Sequence, residues 1–129
     1  MTIDDSIASA CEVVPGLQSG VLVLLPDGLP IGGVGEGSAF DREPLVRSAA
    51  RCLTNLRSAT PPTRGGSKFV EYAFVSDEQL VVILRGRRYS RVALALACSR
   101  EANLAWVMSS TRAALETIES TVDFADFEL

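Results

Sequence analysis

The stretch KFVEYAFVSDEQLVVILRGRRYSRVALALACS, residues 68–99, decides the fold because it contains three strand signals in close succession. In KFVEYAFV the side chains alternate between two faces, and Val70, Tyr72 and Phe74 share one of them. LVVILR is apolar throughout, which is typical of a buried strand, and SRVALALACS returns after a second short turn. Because both connections are short, the stretch predicts an antiparallel meander of three strands.

A first pair of strands is predicted upstream of the meander. GVLVLL, residues 20–25, is apolar on both faces and favours a central strand, and LPIGGV, residues 29–34, would be its returning partner. PDG between them fits a three-residue hairpin turn, in which the glycine supplies a positive φ. Because Pro30 cannot donate to a strand ladder, we expect the returning strand at an edge of the sheet.

Apolar residues at helical spacing predict three helices, at residues 3 to about 14, 41 to about 57 and about 101 to 120. In the last helix, residues from Leu104 to Ile118 keep helical spacing. The element order is therefore α-β-β-α-β-β-β-α, and the fold class is α/β (α+β). We expect a sandwich in which helices bracket a five-stranded, mostly antiparallel sheet.

Composition limits the classes of partner. The chain has 129 residues, which suits one domain, and a formal net charge of −4, which argues against nucleic acid or an anionic membrane as the main partner. The sequence has no run of 18 apolar residues that would span a membrane. Its first residues, MTIDDSIASACE, are acidic, unlike a secretory signal. We therefore expect a cytoplasmic protein.

The residues that support most hydrolytic and metal chemistry are missing. The chain has no histidine, which excludes Ser-His-Asp and Cys-His nucleophile systems and His-ligated metals. Cys11, Cys52 and Cys98 are odd in number and far apart, so we expect buried reduced thiols and not a disulfide framework or a zinc site. The carboxylates form no recognisable acid–base pair. We expect no enzymatic activity, no cofactor and no metal.

The glycine-rich stretch GGVGEGS, residues 32–38, raises the possibility of a phosphate-binding loop. The Walker motif needs a lysine after its last glycine, and none follows here. The dinucleotide motif also fails in its glycine spacing, and the parallel βαβ context is missing. We interpret the stretch as a connection between an edge strand and a helix, with an anion site as the weaker alternative.

This element order resembles the Roadblock family of dynein light chains and their bacterial and archaeal relatives, including the bacterial MglB-like roadblock proteins. The matching stretches are GVLVLLPDGLPI, EYAFVSDEQLVVIL and RVALALACSREANLAWVMSSTRAALETIES. The resemblance covers about residues 3–120. It implies a single roadblock-like domain at residues 1–120, followed by an acidic C-terminal tail at residues 121–129.

The resemblance also implies a homodimer in which the second helices pack together and the third strands pair across the two-fold axis. In this sequence the interface would comprise Val46, Ala49, Ala50, Leu53, Val70, Tyr72 and Phe74. The chain has the physical means for such an interface, because a long aromatic and β-branched edge strand is a hazard unless it is covered or paired.

The family further implies work on other proteins. The leading hypothesis is a non-catalytic regulator or adaptor of a small Ras-like GTPase in bacterial polarity, motility or signalling. The alternative is a scaffold that joins roadblock proteins, kinases or motors without an effect on GTP hydrolysis. A ligand-sensing module would need an apolar pocket, and the Ala-, Val- and Leu-rich strands favour a filled core instead.

Two surface features are candidates for partner binding. Arg85, Arg87, Arg88 and Arg91 surround one turn of an acidic protein. Three interpretations are open. The arginines belong to a solvated turn, they form a docking site for an acidic surface, or one of them acts as an arginine finger. In the tail, Phe124 and Phe127 lie between carboxylates. Either they dock in a basic, apolar groove, or the tail packs locally or frays.

Overall fold

A computed structural model describes residues 2–24, 29–35, 71–89 and 91–124. Within these residues the chain forms two helices and five strands: α1 (Ile3–Cys11), β1 (Leu17–Leu24), β2 (Leu29–Gly35), β3 (Glu71–Val75), β4 (Gln79–Arg85), β5 (Val92–Ser99) and α2 (Leu104–Thr121). The strands make one antiparallel sheet in the order β2-β1-β5-β4-β3. The first hairpin and the three-stranded meander are confirmed. The predicted helix at 41–57 and the PDG turn lie outside the described residues.

The sheet is buried on both faces. Large side chains of β1, β4 and β5 pack under α1 and α2 on the first face, where Leu22, Leu94 and Leu96 are fully buried. The second face carries smaller side chains that are at most 5% exposed: Val21, Val23, Val81, Ile83, Ala93, Ala95 and Ala97. Burial on both faces explains why these strands read as continuous apolar runs.

One edge of the sheet is protected by the chain itself. The backbone N–H of Gly33 in β2 donates to the Asp4 carboxylate of α1 at 2.8 Å. Pro30 has no N–H to offer, and the β1–β2 register shifts between Leu22 and Val23. A proline, an irregularity and a covering carboxylate all hinder strand addition, so β2 is a closed edge, as its proline predicts.

The other edge, β3, differs. In the described part of the chain, β3 pairs with β4 alone, from Glu71 opposite Leu84 to Val75 opposite Leu80. Tyr72 and Phe74 are half-buried against the second face, with their rings edge-to-face and their centroids 5.8 Å apart. The other three side chains of β3, those of Glu71, Ala73 and Val75, are exposed. β3 therefore presents an extended edge with apolar side chains on both faces.

The helix boundaries correct two predictions. α1 begins with a capping box between Thr2 and Asp5 and ends at Cys11, three residues before the predicted limit. α2 begins at Leu104, not at residue 101, because the Asn103 side chain accepts the N–H of Trp106 at 3.0 Å. Leu104 lies in the helix as its spacing predicts, and its side chain is 46% exposed. Neither α1 nor α2, the helices within the described residues, is long and apolar enough to cross a membrane.

Two cysteine thiols lie in the core between the helices and the first face of the sheet. Cys11 and Cys98 are at most 1% exposed, and both are reduced. Burial raises the pKa of each thiol from 9.0 to about 11, with the neighbouring Cys98 adding to the shift at Cys11. The prediction of buried reduced thiols is confirmed for these two, and Cys52 lies outside the described residues.

These thiols predict a specific alkaline behaviour. The folded state favours the neutral form, so their contribution to stability is fully present below pH 9.0 and is lost as the pH rises to about 11.

Burial of the two thiols also predicts slow chemical labelling. In a Cys52→Ser background, we expect both thiols to resist a thiol reagent at pH 8 until denaturant unfolds the chain. Mass spectrometry of the labelled protein measures this. Rapid labelling of either cysteine in the native protein would contradict the burial.

Candidate functional site

Residues 85–91, here called the arginine turn, join β4 to β5. The N–H of Gly86 donates to the Val92 carbonyl at 2.8 Å, and the N–H of Val92 donates to the Tyr89 carbonyl at 3.0 Å. Of the four predicted partner-binding residues, the side chains of Arg87, Arg88 and Arg91 are exposed, and that of Arg85 at the end of β4 is half-buried. The structure thus brings the four arginines to one end of the sheet.

A buried carboxylate from α2 holds the turn. Glu119 is only 4% exposed, and its Oε2 accepts the backbone N–H of Arg88 at 2.8 Å and that of Tyr89 at 2.7 Å. The fit requires a glycine nearby, because a Cβ on Gly86 would lie 2.8 Å from the same oxygen and 2.6 Å from the Tyr89 carbonyl oxygen. The carboxylate therefore fixes the backbone from which the exposed arginines project.

The surface of the turn is also supported by side chains. Arg87 forms an exposed ion pair of 3.4 Å with Glu116, and the guanidinium of Arg88 lies 5.4 Å from the centroid of the Tyr89 ring. The Tyr89 ring packs in turn on Phe124, with centroids 4.9 Å apart. Phe124 is 4% exposed, so the local-packing alternative holds for this residue. Phe127 lies outside the described residues, and the division of the chain at residue 120 stays a prediction.

Arg112 of α2 connects the turn to the β3 edge. Its Nη1 donates to the Arg85 carbonyl at 3.2 Å, and its Nη2 lies 3.5 Å from the Glu71 carboxylate. Burial, with repulsion from Arg87, lowers the pKa of this guanidinium from its ordinary value. One side chain thus ties α2 to both β4 and β3.

Sequence reasoning missed Glu119, although a weak signal was present. Glu119 lies four residues after Leu115 and beside Ile118, inside the apolar stripe of α2. A charged residue in such a stripe needs hydrogen-bond partners when it is buried. Its partners are 30 and 31 residues away along the chain, so no local pattern identifies them.

The chemistry of this surface is that of recognition. Exposed guanidinium groups pair with carboxylates in planar, two-point geometry, which suits an acidic protein surface. Within the described residues, no group of histidine, cysteine, aspartate or glutamate side chains could hold a metal ion.

The glycine-rich stretch serves packing as far as the structure describes it. A Cβ on Gly32 would lie 2.6 Å from Ile3 Cγ2 and 2.7 Å from Ile7 Cδ1, so this glycine lets α1 lie close on β2. The N–H of Gly33 is already bonded to Asp4, and Gly35 has a φ of +112°. Residues 36–38 lie outside the described residues. The part from Gly32 to Gly35 forms the end of β2, in agreement with an edge strand and not with a phosphate loop.

Comparison with solved structures identifies the fold. The Roadblock/LC7 domain from Streptomyces avermitilis matches with a TM-score of 0.75 at 20% identity, over 93% of this chain and 97% of that one. The chain has the Roadblock/LC7 fold. MglC from Myxococcus xanthus matches with a TM-score of 0.59 at 20% identity, over 95% and 100% of the two chains. MglB from the same organism matches with a TM-score of 0.65 at 15% identity, over 92% of each.

The sequence comparisons found no match to this chain, either among protein-family models or among curated proteins. At the identities found, the structural likeness shows the fold. The roadblock fold expected from the sequence is confirmed.

The predicted dimer interface of this roadblock fold is only partly visible. Tyr72 and Phe74 lie on β3, half-buried, and point towards the second face of the sheet. The other five residues, Val46, Ala49, Ala50, Leu53 and Val70, lie outside the described residues. The interface stays a prediction.

Removing the Glu119 carboxylate tests how the turn is held. We expect Glu119→Ala to lower the free energy of unfolding by about 2–4 kcal/mol, because two partly buried N–H groups lose their acceptor. Glu119→Gln retains an oxygen acceptor and should cost less. Urea denaturation followed by circular dichroism measures both.

Glu116→Ala is the matched control for this prediction. It removes an exposed carboxylate of the same helix, whose ion pair with Arg87 is worth at most about 1 kcal/mol. If Glu119→Ala were no more costly than Glu116→Ala, Glu119 would not be the contact that holds the turn.

Proposed function

We propose that this protein is a non-catalytic homodimeric regulator or adaptor of a small Ras-like GTPase, acting in the cytoplasm. The observation that carries the proposal is the arginine turn, which presents exposed arginines from a backbone held by Glu119 on a roadblock fold. The likeness to MglB and MglC structures supports the roadblock fold. The family resemblance of the sequence is what implies a regulator or adaptor of a Ras-like GTPase.

A fixed turn favours recognition because less conformational freedom is lost on binding. The acceptor for the exposed guanidinium groups would be an acidic surface of the GTPase. For regulation, the platform must bind the GDP and GTP forms of its partner with different affinity, since equal affinity shifts no equilibrium. If the affinity for the GDP and GTP forms of the GTPase were equal, the protein would be an adaptor. If it had no effect on GTP hydrolysis, it would be a scaffold.

Homodimerisation through β3 is part of the proposal. Its support is the contrast between the two edges, because β2 is closed by Asp4 and Pro30 while β3 presents an extended edge with Tyr72 and Phe74. Pairing β3 with a second copy satisfies its outer backbone groups by a two-fold contact. The two copies would then carry two arginine turns on one assembly.

The arginine turn predicts a charge-dependent contact with the GTPase. We expect Arg87→Glu combined with Arg88→Glu to weaken binding at least about tenfold, because attraction to an acidic surface becomes repulsion. Calorimetry with Ras-like GTPases of the same organism, loaded with GDP or a GTP analogue, measures this. The matched control is Arg100→Glu, an exposed arginine at the opposite end of the sheet.

GTP turnover by the same GTPases, measured separately with GTP and each variant, distinguishes a docking surface from an arginine finger. Loss of stimulation in proportion to lost binding supports recognition by the turn. Lost stimulation with unchanged binding would instead assign the turn to an arginine finger. Unchanged binding and turnover in the double variant would remove the turn from the proposed function.

The open edge predicts where self-association is sensitive. Ala73 is an exposed residue in the middle of β3, and Ala73→Glu would bring like charges together across a two-fold strand pair. We expect this variant to shift the protein from dimer to monomer at micromolar concentration in analytical ultracentrifugation. Leu29→Glu, on the closed edge, should leave the dimer intact. A monomeric parent protein, or a dimer lost only with Leu29→Glu, would contradict pairing through β3.

A further inference from the structure

The last described residue, Phe124, lies beside the arginine turn. Its ring packs on the Tyr89 ring with centroids 4.9 Å apart, and the exposed Arg88 guanidinium lies 5.4 Å from the centroid of that same Tyr89 ring. The two contacts share Tyr89, so a single ring separates Phe124 from a cation of the turn. The Tyr89 N–H donates to the Glu119 carboxylate at 2.7 Å, and the backbone that bears this ring is therefore fixed.

The chain leaves α2 in an extended conformation. Val122, which caps the helix, has φ −79° and ψ 134°. Val122 and Phe124 are 9% and 4% exposed, whereas the side chain of Asp123 between them is exposed. Such alternation is that of an extended chain, in which every second side chain points to the same side. The even-numbered side chains of this stretch thus face the body of the protein, and that of Phe124 faces the turn.

The sequence that follows has the charge that the turn attracts. ADFEL, residues 125–129, contains two carboxylates, Asp126 and Glu128, and no basic residue. We call these five residues the ADFEL segment. Both carboxylates stand at even-numbered positions, and an extended chain of about 3.3 Å per residue would place them about 7 and 13 Å beyond Phe124. That reach is comparable with the path from Phe124 across the Tyr89 ring to Arg88.

We propose that the ADFEL segment docks on the arginine turn of its own chain. Phe124 anchors the segment on Tyr89, and the side chains of Asp126 and Glu128, on the same side as Phe124, pair with guanidinium groups of the turn, that of Arg88 first. Pairs between a guanidinium and a carboxylate are among the stronger hydrogen-bonded contacts of proteins. Because the segment is tethered at Phe124, its effective concentration at the turn is high, and a contact too weak between separate molecules is populated within one.

The docked segment regulates access to the turn. An acidic surface of a GTPase would use the same guanidinium groups as the segment does, so the two compete for one site. The partner must then displace the segment, and a surface that offers more carboxylates than the segment does so most readily. This competition rests on the proposed function, whereas docking of the segment does not.

Docking is tested without a GTPase. The tail variant is Asp126→Asn combined with Glu128→Gln in the 129-residue chain, which removes two charges and preserves side-chain shape. Its matched control is Asp77→Asn combined with Glu78→Gln, two exposed residues at the opposite end of β4. In nitrogen–proton NMR spectra, we expect the tail variant to shift the backbone and Nε–Hε signals of the arginine turn and the control to leave them in place. Added salt should move the parent signals towards those of the tail variant.

Competition is tested by calorimetry with the Ras-like GTPases used for the arginine-turn variants. If the segment covers the turn in most molecules, the affinity of the parent protein is lowered by the fraction that is open. The tail variant should then bind about three- to tenfold more tightly. The control variant should bind as the parent does, and since it loses the same two charges, it separates an effect at the turn from one of net charge.

Several outcomes would overturn the inference. Unchanged turn signals in the tail variant, or shifts no larger than those of the control, would show that the segment does not dock. Turn signals that move with protein concentration would show a segment of another molecule on the turn. Shifts of the turn signals without a gain in GTPase affinity would overturn the competition.

The two proposals fail in different ways. If the turn signals shift in the tail variant but no GTPase binds the protein, the proposed function fails and docking of the ADFEL segment stands. If Arg87→Glu combined with Arg88→Glu weakens GTPase binding while the tail variant changes neither the spectra nor the affinity, the present inference fails and the proposed function stands.

Discussion

A carboxylate that is removed from water must be hydrogen-bonded, and Glu119 meets this requirement with two backbone N–H groups of a turn that lies 30 residues earlier in the chain. The contact acts in both directions. The two N–H groups provide hydrogen bonds to a carboxylate that is buried on the core side of α2. The carboxylate in turn holds the hairpin in one backbone conformation. Gly86 belongs to the same arrangement, because a side chain there would occupy the space of the carboxylate. The exposed arginines are therefore presented by the core of the protein, even though the turn itself contains few apolar residues.

Side chains of the two helices also contact the two edges of the sheet, with different results. At β2, a helix carboxylate takes the N–H of Gly33, and a proline removes another possible donor. At β3, Arg112 approaches from α2, but it binds the side chain of Glu71 and the carbonyl of Arg85, which is at the end of β4. A polar contact on the face of a strand does not block its outer edge. This contrast is the basis for proposing that β3, and not β2, pairs with a second copy of the chain.

Much of the fold was predictable from residues 68–99 and 20–34 because burial on both faces leaves a continuous apolar signal in β1, β4 and β5. The edge position of β2 was predictable from Pro30 alone. The ends of the helices were harder to predict, since a single side-chain hydrogen bond from the Trp106 N–H to Asn103 sets the start of α2. The roles of Glu119, Arg112 and Asp4 were not predictable, because each acts on a backbone group or side chain brought near only by the completed sheet. Trp106 was assigned no function from its spacing, and only its exposure distinguishes it from a core residue.

α2 runs from one end of the sheet to the other, which limits how the two ends could communicate. α2 carries Trp106 in its first turn and Glu119 in its last, so a signal between the ends of the sheet would pass through this helix. Such a signal requires an element with two alternative arrangements that both ligands bias. Val107, Leu115 and Ile118 fix α2 by complete burial, and Thr111 bonds its own helix backbone at 2.6 Å. A helix packed in this way resists sliding, because its side chains interlock with the sheet. A partner bound at one end of the sheet should therefore leave the backbone at the other end unchanged.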